Sequence, residues 1–189
     1  MVERIPMTDE LPPVAILAGG LAKRLRPVTE TIPKALVPVN GQPFIIHQIE
    51  QLKKEGIQKI VCCGGYKGEM IEAQLGDGSD FGISILYSYD GTTLLGTGGC
   101  LKKALPKLGD QFFVLYGDSY LQVNYADIKA AFDASGKKGL LTVFKNRGKW
   151  DASNVFYLNG RIVSYSKKKK ASEMTYIDYG LGLLKSEAF

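Results

Sequence analysis

Cysteine and histidine are scarce in this chain of 189 residues, which contains three cysteines and one histidine. Cys62 and Cys63 are adjacent, and three thiols spaced in this way fit neither a disulfide framework nor a zinc site. They continue the apolar run 60–63, which predicts a buried strand with free thiols, as in a reducing compartment. The single histidine, His47, lies inside an amphipathic helical pattern, so we interpret it as structural.

Long apolar runs are absent as well. No stretch is long and apolar enough to span a membrane, and the sequence shows neither a secretion signal nor a lipidation motif. These absences predict a cytoplasmic protein. The net charge of +5 suits a small anionic substrate as well as nucleic acid. Apart from the lysine run 167–170, the basic residues are scattered, so we expect neither nucleic acid nor a membrane as a partner. We interpret the lysine run as a solvated loop.

What remains is typical of one soluble α/β domain. Apolar residues make up 45% and charged residues 23% of the chain. The proline-containing segment 1–12 predicts a loose leader, and 13–189 the domain itself. Strand patterns alternate with helical patterns, which predicts right-handed βαβ units in a three-layer α/β/α, Rossmann-like domain with a mostly parallel sheet. The predicted strands are 14–17, 59–63, 83–87, 112–116 and 140–144, and the predicted helices are 43–56, 68–75, 98–105 and 126–134.

A hairpin is predicted near the C-terminus. The segments 155–158 and 161–165 have strand character, and Asn159-Gly160 lies between them. This dipeptide suits a type I′ turn, in which both central residues have positive φ. We therefore expect a small antiparallel element beside the parallel sheet.

The most informative segment follows the first predicted strand. The apolar run ends at Gly19 and Gly20. Arg24 and Arg26 follow within one or two helical turns, and Lys34 comes after a proline. Glycines let a backbone present its N–H groups to a ligand at close range. Such N–H groups, together with clustered cations, are what a nucleoside triphosphate requires, so the segment predicts a triphosphate-binding loop.

This loop differs from two common phosphate-binding motifs. It contains no G-x-x-x-x-G-K-[ST], which excludes a P-loop ATPase, and no G-x-G-x-x-G, which counts against a dinucleotide-binding fold. The order L-A-G-G-x-x-x-R-L-x-P-x-T, then P-K-A-L-x-P-V, instead resembles the signature of the sugar-1-phosphate nucleotidyltransferases. The resemblance is nearest to the branch of heptose- and mannose-1-phosphate guanylyltransferases.

The resemblance implies roles for individual residues of the loop. Arg24 would clamp the β- and γ-phosphates that leave, and Lys34 would bridge the sugar phosphate and the α-phosphate. The nucleotide would also contact the residues that end the first strand and begin the loop, which are Leu17, Ala18, Gly19 and Gly20.

Gly117-Asp118 follows the predicted strand 112–116. Ligands of open α/β sheets bind beyond the carboxyl ends of the strands, and a carboxylate beside a triphosphate suits Mg²⁺. In the family that the chain resembles, a Gly-Asp pair at this point carries the catalytic metal. We therefore expect Asp118 to be a catalytic metal ligand and Mg²⁺ to be the cofactor.

Two further segments extend the resemblance. L-G-T-G-G at 95–99 matches the segment that holds the nucleobase through backbone groups, which implies nucleotide contacts from Gly96, Thr97 and Gly98. The tail departs from the family pattern, because aspartate replaces the usual asparagine in I-D-Y-G-L and the glutamate of a Glu-Lys pair is missing. The contacts implied there, toward the sugar phosphate, are those of Asn154, Lys168, Asp178 and Gly180.

The implied reaction is attack by a sugar-1-phosphate oxygen on the α-phosphorus of a nucleoside triphosphate, which releases pyrophosphate and gives a nucleoside diphosphate sugar. The second pKa of a phosphate monoester is about 6, so no general base is required at neutral pH. Family likeness favours GTP with a heptose- or mannose-type sugar, in the synthesis of cell-surface polysaccharide.

Two alternatives stay open. One is a cytidylyl- or uridylyltransferase acting on phosphocholine or on an amino-sugar phosphate. The other is a non-catalytic nucleotide-binding module. The non-catalytic alternative stays open because relatives carry a second metal-binding aspartate, and that aspartate lies farther along the chain than the segment that ends here at Phe189. We therefore expect the domain to lack the family's C-terminal end, and the sequence leaves a homo-oligomer open.

Overall fold

The computed structural model describes residues 10–146, 148–168 and 171–189, with the side chain of Lys23 omitted. Most of the expected leader 1–12 and residues 169 and 170 of the lysine run lie outside the described residues. Within the described part of the chain, no helix is both long and apolar enough to cross a bilayer.

Strands and helices alternate along the chain, as the sequence predicts. Short 3₁₀ turns cover Lys23–Leu25, Lys34–Leu36, Ser79–Phe81 and Ser186–Ala188. In chain order the other elements are β1 (Val14–Leu17), α1 (Val28–Thr31), β2 (Pro38–Val39), β3 (Gln42–Pro43), α2 (Phe44–Lys54), β4 (Lys59–Gly64), α3 (Gly68–Leu75), β5 (Ser84–Tyr89), α4 (Gly96–Leu108), β6 (Gln111–Tyr116), α5 (Tyr125–Ser135), β7 (Gly139–Lys145), β8 (Val155–Leu158), β9 (Arg161–Tyr165) and β10 (Tyr176–Lys185).

The central sheet has a parallel half and an antiparallel half. Strands β5, β4, β1 and β6 lie side by side and run parallel, with Ile16 of β1 opposite Cys62 on one side and Leu115 on the other. Strand β10 pairs antiparallel with β6 and, on its other edge, with β7. The predicted parallel centre is confirmed. Strand β10 lies between β6 and β7, although β7 is the next strand after β6 along the chain.

Helices cover both faces of the sheet, which confirms the three-layer arrangement. Helices α2, α3 and α5 pack on one face, where the rings of Phe113 and Tyr125 meet edge to face at 4.9 Å. Helix α4 packs on the other face through Leu101 and Ala104, against alternate residues of the same strands. Strands buried on both faces explain why the predicted central segments read as continuous apolar runs.

The predicted hairpin is confirmed. Strands β8 and β9 pair antiparallel, and the turn residues Asn159 and Gly160 have φ values of 47° and 77°. Both central residues of a type I′ turn require positive φ, which asparagine and glycine tolerate best. The short helix α1 and the ribbon of β2 and β3 were not predicted, because neither is long enough to show a hydrophobic period.

Candidate active site

An open cavity of about 500 Å³ lies at the carboxyl ends of β1, β4 and β6. These strands are parallel, so their carboxyl ends meet at one edge of the sheet, where α/β proteins bind ligands. The cavity is lined by the loop after β1, the pair after β6 and the start of α4. The predicted residues among its walls are Leu17, Ala18, Gly19, Gly20, Arg24, Lys34, Gly96, Thr97 and Asp118.

The two glycines of the loop have different roles. A Cβ on Gly19 would lie 2.8 Å from the backbone nitrogen of Gly65, so only glycine allows the β1 and β4 loops to approach this closely. A Cβ on Gly20 would meet nothing within 4 Å, because its Cα faces open space. Among the described residues, the N–H groups of Gly19 and Gly20 have no protein acceptor, and they are available to a ligand.

The two charged residues assigned to catalysis are in direct contact. The side-chain nitrogen of Lys34 lies 2.5 Å from Oδ2 of Asp118. The two side chains are 34% and 50% exposed, and at that exposure an ion pair adds little to stability. Its main consequence is therefore the arrangement of one cation and one carboxylate in the cavity wall.

Gly117 fixes the position of Asp118. Its N–H donates to the carbonyl oxygen of Leu17 at 3.1 Å, and a Cβ on it would lie 2.5 Å from that oxygen. The backbones of β1 and β6 are thus held together where both strands end, beside Ala18. Arg24, in the turn after β1, also lines the cavity, whereas Arg26 pairs with Glu30 at the surface.

The far wall of the cavity is the beginning of α4. Gly96 and Thr97 line it, whereas Gly98 is not among the lining residues. The first N–H groups of a helix lack partners within the helix, and the N-cap residue Leu95 provides no side-chain cap. The backbone start of this helix can therefore donate to a ligand, as the sequence predicts for the nucleobase contact.

Asp90 is a residue of this wall that the sequence analysis missed. Its Oδ2 accepts from the N–H of Leu95 at 3.1 Å, and its Oδ1 is buried without a hydrogen-bond partner among the described residues. Both Asp90 and the start of α4 line the cavity. The signal that could have identified it is its place directly after strand β5, at the carboxyl edge of the sheet.

A second cavity, of about 310 Å³, adjoins the first and shares Thr97 and Tyr116 with it. Asp178 and Gly180 line it. The Tyr116 hydroxyl donates to Asp178 at 2.7 Å, and this hydrogen bond, after burial as the larger cause, raises the pKa of Tyr116. The Tyr165 hydroxyl donates to the same carboxylate oxygen at 3.1 Å.

The other predicted sugar-side residues lie around this carboxylate. Asn154 accepts from the backbone N–H of Asp178 at 3.0 Å, so its side chain positions strand β10 and is not part of the cavity wall. Gly180, with a φ of +90°, packs against Ser119, where no side chain would fit. Lys167, rather than the predicted Lys168, lines the first cavity.

Comparison with known proteins identifies the family of the chain. The family described as nucleotidyl transferase matches residues 14–156. The heptose-1-phosphate guanylyltransferase of Aneurinibacillus thermoaerophilus (full name D-glycero-alpha-D-manno-heptose 1-phosphate guanylyltransferase) is 35% identical over 84% of this chain and 68% of its own length. The N-acetylmuramate alpha-1-phosphate uridylyltransferase of Neisseria meningitidis is 41% identical over 64% of this chain and 51% of its own length.

The chain spans only part of the length of such relatives. It covers 34% of the low-salt glycan biosynthesis nucleotidyltransferase Agl11 of Haloferax volcanii, and the two are 42% identical over 63% of this chain. Among solved structures, HddC from Yersinia pseudotuberculosis in complex with GMP-PN has the same fold, with a TM-score of 0.74 and 24% identity over 94% of this chain and 78% of that one. By its sequence and its fold, the chain belongs to the nucleotidyl transferase family.

Proposed function

We propose that this protein transfers a nucleotidyl group from a nucleoside triphosphate to a sugar-1-phosphate. The observation that carries the proposal is one cavity in which Arg24, Lys34 and Asp118 lie beside the unbonded amides of Gly19 and Gly20. Cations and free N–H groups bind phosphates, and a carboxylate among them is the natural place for their metal ion. The names of the guanylyl- and uridylyltransferase relatives support the same activity.

In this reaction an oxygen of the sugar phosphate forms a bond to the α-phosphorus, and the bond from that phosphorus to the oxygen of pyrophosphate breaks. The attacking phosphate is already ionised at neutral pH, so the protein needs to bind and orient the two phosphates rather than remove a proton. Arg24 stabilises the pyrophosphate, and Lys34 stabilises the charge between the α-phosphate and the sugar phosphate. The loss of one such cation costs on the order of 2–4 kcal/mol of transition-state stabilisation.

Asp118 fits a magnesium ion that arrives with the nucleotide. Within the described residues no group of three or more histidine, cysteine or acidic side chains is placed to hold a metal by itself. Mg²⁺ commonly takes one or two carboxylates and completes its ligands with phosphate oxygens and water, for which a half-exposed aspartate suffices. When bound, the ion would neutralise phosphate charge, and Lys34 would be free to leave Asp118 for a phosphate.

Asp90 favours guanine as the base. Its Oδ1 is buried without a partner among the described residues, which is costly for a carboxylate oxygen, and a small movement of the side chain into the cavity would let it accept from a base. Guanine presents two adjacent donors, N1–H and the 2-amino group, on one edge. Cytosine and adenine each place a ring acceptor beside their amino group, and uracil and thymine place two carbonyl oxygens beside N3–H. A carboxylate is therefore best matched by GTP.

The second cavity is the proposed sugar site. Asp178 can accept hydrogen bonds from sugar hydroxyls while Tyr116 and Tyr165 hold its carboxylate in place. A quaternary ammonium group would need a free aromatic face, but Lys167 lies 5.0 Å from the ring centre of Tyr116. This observation favours a sugar phosphate over phosphocholine, and the names of the guanylyltransferase relatives favour a heptose- or mannose-type sugar. The three free cysteines are consistent with a protein of the cytoplasm. The relative named for glycan biosynthesis is consistent with a role in polysaccharide synthesis.

Pyrophosphate release with Mg²⁺ tests the proposal. The panel comprises GTP, UTP, CTP, ATP and dTTP, each with mannose-1-phosphate, heptose-1-phosphates, amino-sugar phosphates and phosphocholine. We expect turnover with GTP and a neutral sugar-1-phosphate. Triphosphate binding without any turnover would instead favour the non-catalytic module.

Inosine triphosphate tests the assignment of the base. It lacks only the 2-amino group, so GTP should exceed it in kcat/KM by about tenfold or more. Asp90→Asn keeps an acceptor for the N–H of Leu95 and should reduce this ratio. Equal use of GTP and inosine triphosphate by the unaltered protein would contradict the role of Asp90.

A further inference from the structure

A buried polar side chain lies in an otherwise aliphatic stripe of helix α2. The buried residues of this helix are Ile45, Gln48, Ile49 and Leu52, and their spacing is that of a helix face packed on a core. Gln48 is 1% exposed, like its aliphatic neighbours. Burial of an amide costs free energy unless its polar atoms are hydrogen-bonded, whereas an aliphatic side chain would have no such cost. Packing alone therefore does not account for a glutamine here.

The amide of Gln48 holds both ends of the turn that carries Asp118. Its nitrogen donates to the carbonyl oxygen of Tyr116 at 3.1 Å and to that of Ser119 at 2.7 Å. An amide nitrogen carries two hydrogens, so this one group can satisfy both carbonyls. The N–H of Ser119 also donates to the Tyr116 carbonyl oxygen, at 3.0 Å, and closes the turn. A single side chain of α2 thus spans residues 116–119 from the core side.

The direction in which Asp118 points depends on the backbone of this turn. Its carboxylate is half exposed, and within the described part of the chain its hydrogen bond is to Lys34. Gly117 ties the turn to β1, and Gln48 ties it to α2. The Oε1 atom of Gln48 is buried without a partner among the described residues, so the two bonds to the turn are all that its amide gains.

We propose that Gln48 positions Asp118 as a ligand for magnesium, and this role rests on the proposed function. Mg²⁺ demands near-ideal octahedral geometry, so a carboxylate whose turn can shift binds it more weakly than one held in place. Gln48 itself is not among the described residues that line either cavity. It therefore acts through Asp118 and not by contact with the nucleotide or the sugar phosphate.

Gln48→Met tests the hold on the turn without nucleotide or metal. Methionine is similar in length and packs in irregular apolar spaces, but it cannot donate to the two carbonyls. We expect hydrogen exchange of the Ser119 amide, followed by NMR, to quicken about fivefold or more, while the amides of β4 exchange as before. Gln51→Met is the matched control, since that glutamine of the same helix donates to Glu55 at 3.2 Å and should affect neither rate.

The link to Asp118 has its own measurement. Triphosphate affinity is titrated with and without Mg²⁺, and the ratio of the two affinities gives the contribution of the ion. Gln48→Met should reduce this ratio about threefold or more, whereas affinity without Mg²⁺ should stay the same. Asp118→Asn should itself lower the ratio, and addition of Gln48→Met to that variant should lower it no further, because both substitutions act on the same carboxylate.

An unchanged exchange rate at Ser119 would overturn the hold on the turn, and so would an equal acceleration in β4, which would indicate a general loss of stability. Effects of the two substitutions that multiply would overturn the action through Asp118. Gln48→Leu, which also lacks a donor, replaces Gln48→Met if thermal melting shows that the latter does not fold. An unaltered protein that binds no triphosphate would contradict the proposed function instead, and the exchange result would be unaffected.

Discussion

The side-chain nitrogen of Lys67 donates to the carbonyl oxygen of Thr31 at 2.7 Å and to that of Glu30 at 2.6 Å. These carbonyls end the short helix α1, within the segment that carries Arg24 and Lys34. Helix carbonyls at this end lack partners within the helix, and a lysine is a suitable donor to them. Lys67 therefore attaches the segment that carries Arg24 and Lys34 to the loop that follows β4.

We expect Lys67→Met to weaken triphosphate binding without removing a charge from the cavity. The segment would lose two hydrogen bonds to a charged group, so KM for the triphosphate should rise several-fold while kcat changes less. Methionine is no more strained than lysine at the φ of 53° found here. Tyr66→Phe is the control, because that hydroxyl makes only a 3.4 Å contact with Glu30. Equal effects of both variants would argue against a positioning role for Lys67.

Lys34→Ala should fold normally and lower turnover by about a hundredfold or more. The lysine is partly exposed and its ion pair with Asp118 adds little stability, whereas its charge acts on the transition state. Steady-state pyrophosphate release measures the loss, and thermal melting measures the fold. Lys129→Ala, which removes a cation of α5 that pairs with Asp133 outside the cavity, should leave turnover unchanged. Turnover near normal in Lys34→Ala would refute the role assigned to this lysine.

Alanine at Gly117 and at Gly20 should separate stability from binding. The added methyl at Gly117 would lie 2.5 Å from the carbonyl oxygen of Leu17, so we expect a loss of roughly 2 kcal/mol or more in the free energy of unfolding. The methyl at Gly20 meets no protein atom within 4 Å and should leave stability unchanged. It would instead approach the triphosphate, so affinity should fall. Denaturant unfolding and triphosphate titration of both variants check this, and a reversed order would contradict the assignment.

Tyr116→Phe should affect the sugar phosphate and spare the nucleotide. The variant keeps the ring and loses the 2.7 Å hydrogen bond to Asp178, which leaves that carboxylate less well oriented. We expect KM for the sugar phosphate to rise about fivefold, as for the loss of one hydrogen bond to a charged group, with KM for GTP unchanged. Tyr165→Phe, at 3.1 Å, should have a smaller effect. A parallel rise of both KM values would show that Tyr116 serves the nucleotide site as well.

Sequence patterns predicted the features of the fold that residues near each other in the chain determine. Strand β1, helix α3 and the hairpin of β8 and β9 have the predicted bounds, because an apolar run, a terminal glycine or an Asn-Gly turn marks their ends. The loop glycines and Asp118 were found for the same reason, since a strand end followed by glycine indicates a ligand-facing turn.

Long-range placement could not be predicted in this way. Nothing local indicates that β10 enters the sheet between β6 and β7. The partner of Lys34 lies 84 residues away, and the buried oxygen of Asp90 is evident only once α4 is in position. The choice between Lys167 and its neighbour depends on a single step along an exposed loop, where no periodicity distinguishes them.

Strand β10 runs antiparallel to β6. Because it enters the sheet late in the chain, the residues of the two cavities come from two different stretches of polypeptide. Residues that line the proposed nucleotide cavity lie almost entirely between Leu17 and Asp118, whereas the carboxylate of the proposed sugar cavity belongs to strand β10. Tyr116 is the wall common to both. Substitutions in the later stretch can therefore reshape the proposed sugar cavity and leave most of the lining of the proposed nucleotide cavity unchanged.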